Sequence, residues 1–90
     1  MSRRNSRNHP VFVAERIKVR YPEIYNTMTP HVNGIIGNLD RRRRLSSADL
    51  NRLSDRVVRN SNMDSDPPYG VGRRAIRDIA GILLLAALLG

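Results

Sequence analysis

An apolar run without a charge, Ile79 to Leu89 (IAGILLLAALL), follows directly on the basic stretch GRRAIRD, and it restricts the fold more than any other part of the chain. Eleven residues at about 1.5 Å each reach roughly 16 Å as a helix. A hydrocarbon core is about 30 Å thick and needs about 20 residues, so the run is too short to cross a bilayer alone. Two uses remain. The run can be the central helix of a small bundle, buried because it is apolar all round, with Ile76, Ile79, Ile82 and Leu83 inside. It can also dip into one leaflet while Arg73, Arg74 and Arg77 meet anionic headgroups, each worth about 1 kcal/mol near such a surface.

Either use needs a shell of other elements, and the chain offers little to staple one. Ninety residues support one small domain, which buries only about 60 to 65% of its unfolded surface. There is no cysteine, and His9 and His31 are far apart in the chain, so neither a disulfide nor a thiolate or paired-histidine metal site is expected. Packing or a partner has to supply the stability.

The shell reads as helices. In VFVAERIKVRY, residues 11–21, Val13, Ile17 and Tyr21 sit four apart on one helix face, while Ile17, Val19 and Tyr21 also alternate as in a strand. His9-Pro10 as a helix start and Pro22 as a stop favour the helix. Pro22 then opens a short helix over PEIYNTM, with Glu23 in its first turn and Ile24 and Met28 on one side. Thr29-Pro30 repeats the start signal and predicts a further helix with Val32, Ile35, Ile36 and Leu39 spaced i, i+3, i+4, i+7. Gly34 and Gly37 weaken it or admit a close neighbour.

The clearest local signal is SSADLNRLSDRVVRN, residues 46–60. Ser46 and Asp49 form a capping box with Asp in place of the usual Glu. Leu50, Leu53 and Val57 make an apolar stripe, and Arg52, Arg56 and Arg59 lie opposite it. Residues 60–72, NSNMDSDPPYGVG, read as a loop. The Asn62, Asp64, Asp66 spacing resembles half a calcium loop, but Pro67 and Arg73 stand where glycine and glutamate belong, so no metal is expected. Tyr69 reads as a loop anchor on the core. The expected architecture is an all-α bundle of about four helices over residues 11–89, preceded by a flexible basic arm over residues 1–10.

The formal charge is +8, and fifteen of the sixteen basic residues are arginine. The charge is +5 over residues 1–20, −1 over 21–29, +4 over 30–60, −2 over 61–72 and +2 over 73–90, so the field is spread rather than confined to a tail. Such a field favours nucleic acid, lipid headgroups or an acidic protein. Arginine's planar fork suits phosphate, although a GC-rich genome would also enrich arginine. Arg41, Arg42, Arg43 and Arg44 follow the predicted third helix, where cations complement its dipole. As a helix they would cover roughly 300° of its circumference, so a polyanion would have to wrap around them. Arg3-Arg4 is not an export signal, because no apolar h-region follows.

Enzymatic chemistry finds no support: there is no cysteine nucleophile, no histidine spaced near a carboxylate, no glycine-rich phosphate loop and no cofactor motif. The segments YPEIY (21–25), Pro30-His31-Val32, the capped helix after Ser46 and GRRAIRDIAGILLLAALL (72–89) resemble small uncharacterised proteins of spore-forming Firmicutes. That resemblance covers about 70 residues and implies a compact helical domain with no nameable activity.

The sequence therefore points to a non-enzymatic interaction protein without cofactors, expected in the cytoplasm. Its apolar helix faces would pack on another copy or another protein, with Leu50, Leu53, Val57, Ile79 and Leu83 as packing residues. Arg73, Arg74, Arg77 and Arg41 to Arg44 would dock it on anionic lipid at the inner face of the membrane. The alternative is a sequence-independent nucleic-acid binder whose phosphate-facing stripe is Arg52, Arg56 and Arg59. With only Phe12, Tyr21, Tyr25 and Tyr69 as aromatics, no base-stacking motif is present.

Overall fold

The computed structural model describes residues 9–40, 44–63 and 70–89. The arm up to residue 8, Arg41, Arg42 and Arg43, and the loop residues Asp64, Asp66 and Tyr69 lie outside the described residues. Among the described residues the chain is all-α, with α1 over Pro10–Arg20, α2 over Pro22–Asn38, α3 over Ser47–Asn60 and α4 over Arg73–Leu89.

α1 begins and ends where its prolines require. Pro10 occupies the first turn, and the preceding His9 caps it, Nδ1 accepting from the Val11 N–H at 3.3 Å. Tyr21 closes α1 and starts α2 at once. It leaves helical geometry (φ −130°, ψ 63°), yet its N–H donates to the Ile17 carbonyl at 2.7 Å and its carbonyl accepts from Tyr25 at 3.0 Å. One residue thus joins the two helices.

The break expected at Pro30 is absent: residues 22–38 form a single helix, with Pro30 inside it and exposed. An interior proline loses one backbone hydrogen bond and costs about 3 kcal/mol. Against this, Ile24, Met28, Val32 and Ile35 make one continuous buried stripe across the proline. Fully burying Met28 and Val32 gives about 1.5 to 3 kcal/mol each, enough to hold the two halves in one helix. The Thr29 hydroxyl donates to the Tyr25 carbonyl, binding the turn before the proline. Ile36 and Leu39 are half-buried, and a methyl group at Gly34 or Gly37 would meet open space, so neither glycine serves a close approach.

α3 forms as its capping box dictates. Ser46 Oγ accepts from the Asp49 N–H at 3.2 Å, and Asp49 Oδ2 accepts from the Ser46 N–H at 3.3 Å. Its C-terminus turns sharply, a feature the loop assignment from residue 60 overlooked. Asn62 takes the left-handed conformation (φ 62°), its N–H donates to Arg59, and the Met63 N–H reaches back to the Val58 carbonyl at 3.1 Å. This is a Schellman turn, with buried Met63 as its apolar contact.

α4 is the central helix. It packs on α1, α2 and α3, and Ile76, Ile79, Ala80, Leu83 and Leu84 on its inner side are buried. The first of the two uses of the apolar run is the one adopted. No described helix is long and apolar enough to cross a membrane. α3 runs antiparallel to α4 and meets it closely at Ser54, whose Oγ would lie 3.2 Å from a Cβ on Gly81. The close approach thus occurs at Gly81 in α4.

Candidate anion-binding groove

Antiparallel packing of α3 on α4 brings together arginines that lie 14 or more positions apart in the chain. Between the two helices runs an open groove of about 920 Å³, walled on one side by Asn51, Asp55, Val58 and Arg59 of α3. Arg73, Arg74, Arg77 and Asp78 of α4 form the other wall. Residues 51, 55 and 59 face α4 because they recur every four positions on one side of α3.

The groove is electropositive for two reasons. Among the described residues that line it there are four guanidinium groups and two carboxylates, and Arg77 Nε pairs with Asp55 Oδ1 across it at 3.2 Å. That pair is half-exposed, so it contributes little to stability while it fixes one fork of the groove. In addition, Arg73 and Arg74 occupy the first turn of α4, which contains no acidic residue. The N-terminus of a helix carries about half a positive charge, so each cation there is disfavoured by roughly 0.3 to 1 kcal/mol. An anion entering the groove would interact favourably with that end of the helix dipole. Guanidinium forks would grip its oxygens in pairs.

The sequence treated Arg73, Arg74 and Arg77 as one group and Arg52, Arg56 and Arg59 as another. The structure brings them together through Arg59, which faces the first group across the groove. Arg52 is exposed on α3 outside the groove, and Arg56 faces a second depression of about 450 Å³, bordered by His31, Gly34 and Leu53 of α2 and α3. Arg44 is exposed just ahead of the Ser46 cap, and Arg41, Arg42 and Arg43 lie outside the described residues. Of the packing residues, Val57 is fully buried and Ile79 and Leu83 are buried, whereas Leu50 and Leu53 are half-buried.

Sequence reasoning missed Asn51, Asp55 and Asp78 as groove residues. The signal was present in the i, i+4, i+8 spacing of Asn51, Asp55 and Arg59, but it acquires meaning only once α4 is placed beside it. Among the described residues no three His, Cys, Asp or Glu side chains gather where they could hold a metal ion. The chain matches no family model, no curated protein and no solved structure.

Proposed function

We propose that this chain is a non-enzymatic binding module that holds the phosphate backbone of a nucleic acid, without reading its sequence, in the groove between α3 and α4. One observation carries the reading: Arg59 stands opposite Arg73 and Arg74 at the positive end of α4. The positive end of a helix favours an anion, and guanidinium groups there add to that preference. The groove is open to solvent, and the residues that line it include guanidinium groups and no aromatic platform that reads bases.

The lipid-docking reading of the same arginines fits less well. Arg77 and the exposed Leu88 are eleven positions apart on one helix, roughly 16 Å, and between them Ile79, Ala80, Leu83 and Leu84 are buried in the core. The arginines and the free apolar end of α4 therefore do not form one amphipathic patch.

The test is fluorescence anisotropy with a labelled DNA duplex across a salt series. Three or four phosphate contacts predict a log–log slope of roughly −3 to −4. Arg59→Gln with Arg74→Gln should flatten that slope by about 2 and weaken binding alike for unrelated duplexes. Unchanged slope and affinity in this double variant would remove the groove from the account.

A further inference from the structure

We propose that the outward face of α1 docks on an anionic lipid bilayer. This surface is separate from the arginine groove. The large apolar residues left exposed among the described residues are Val11, Phe12 (47% exposed) and Val19 (82%) on α1, and Leu88 (43%) and Leu89 (60%) at the end of α4. The two with the most outward position on α1, Phe12 and Val19, share one surface.

Helical geometry gives this exposure a direction. Ala14 and Ile17 fix the buried side of α1. At 100° per residue Phe12 and Val19 fall roughly 180° from that side, so they point straight away from the core. Phe12 and Val19 line a shallow outer surface with Glu15, Arg16 and Arg20. Two large apolar groups one above the other, flanked by arginines, suit an interfacial helix whose apolar side chains enter the acyl boundary while the cations stay among headgroups.

Two arguments choose the bilayer over a second copy of the chain. The face carries Arg16 and Arg20 against the single acid Glu15, so two such faces repel each other, whereas each cation raises partitioning onto an anionic leaflet about five-fold. The face is also small. An eleven-residue helix is about 16 Å long and about 10 Å across, a footprint of roughly 160 Å², far short of the roughly 800 Å² per partner of a standard protein interface. A bilayer sets no such minimum.

The experiment is cosedimentation of the full chain with phosphatidylcholine vesicles, with and without phosphatidylglycerol. Binding should require phosphatidylglycerol, and Phe12→Ser with Val19→Ser should lower it at least ten-fold while circular dichroism and melting stay unchanged. Since the chain has no tryptophan, Phe12→Trp gives a second readout: its emission should shift to the blue when phosphatidylglycerol vesicles are added. Arg59→Gln with Arg74→Gln should leave most vesicle binding in place, which keeps this result independent of the groove. The proposal is overturned by wild-type protein that ignores phosphatidylglycerol vesicles, by a serine variant that binds as well as wild type, or by an unshifted tryptophan. It is also overturned by a wild-type dimer that the serine substitutions convert to monomer, which would assign the face to a second copy.

Discussion

Ser54 and Gly81 touch where α3 meets α4: a Cβ on Gly81 would stand 3.2 Å from Ser54 Oγ, and that hydroxyl is held in place by donating to the Leu50 carbonyl at 2.8 Å. The contact sets how closely the two walls of the arginine groove approach. Gly81→Ala gains about 1 kcal/mol of helix propensity and loses most of it to the hydroxyl. In a Ser54→Ala background the obstruction is gone, so the same change should stabilise. Urea denaturation of the four proteins should give a coupling of about 1 kcal/mol.

Leu84 is fully buried on the inner side of α4. Leu84→Ala should cost about 2 to 5 kcal/mol by opening a cavity. Leu84→Asp leaves a carboxylate among apolar neighbours and should unfold the chain in water, read as loss of far-ultraviolet helicity. Retention of the fold in the aspartate variant would mean that the apolar run is not core.

Pro30 lies inside α2 with its ring exposed, so its removal disturbs no core contact. Pro30→Ala supplies the missing N–H to the Asn26 carbonyl. The gain of about 3 kcal/mol in helix terms is reduced by up to about 1 kcal/mol, because alanine frees the unfolded chain. A net stabilisation of about 2 kcal/mol should appear as a higher denaturation midpoint with an unchanged slope.

Arg74 offers a test in which stability and binding move in opposite directions. In the first turn of α4 a glutamate is favoured where an arginine is disfavoured, so Arg74→Glu should stabilise the fold by roughly 0.5 to 2 kcal/mol at low salt. The same change should lower duplex affinity ten-fold or more. Melting and anisotropy on one sample check both signs.

Local signals in the sequence were reliable where the boundary depends on neighbouring residues only. The Ser46–Asp49 box lies within four residues, and the His9 cap with Pro10 and the sterics of Pro22 bracket α1 locally, so these boundaries emerged as expected. Pro30 carried an equally strong local signal and gave the wrong boundary, because the buried stripe from Ile24 to Ile35 depends on α4 being present to cover it. The turn at Asn62 was hidden because asparagine in a polar stretch is common, and only buried Met63 distinguishes this one. The arginine groove was half legible: its two groups were visible as charge, but Arg59 facing Arg74 depends on how α3 and α4 pack. The outward pair Phe12 and Val19 was obscured by reading α1 for its inner face alone.

The one-residue junction at Tyr21 leaves no slack between the first two helices. Adding a single residue to α1 just before that junction would rotate everything upstream by about 100° relative to α2. Ala14 and Ile17 would swing out of the core, and Phe12 and Val19 would turn a long way from their present heading. The rotational phase of α1 is thereby fixed by chain length at one point, so a lengthened junction should alter the chemistry of that flank even with every side chain retained.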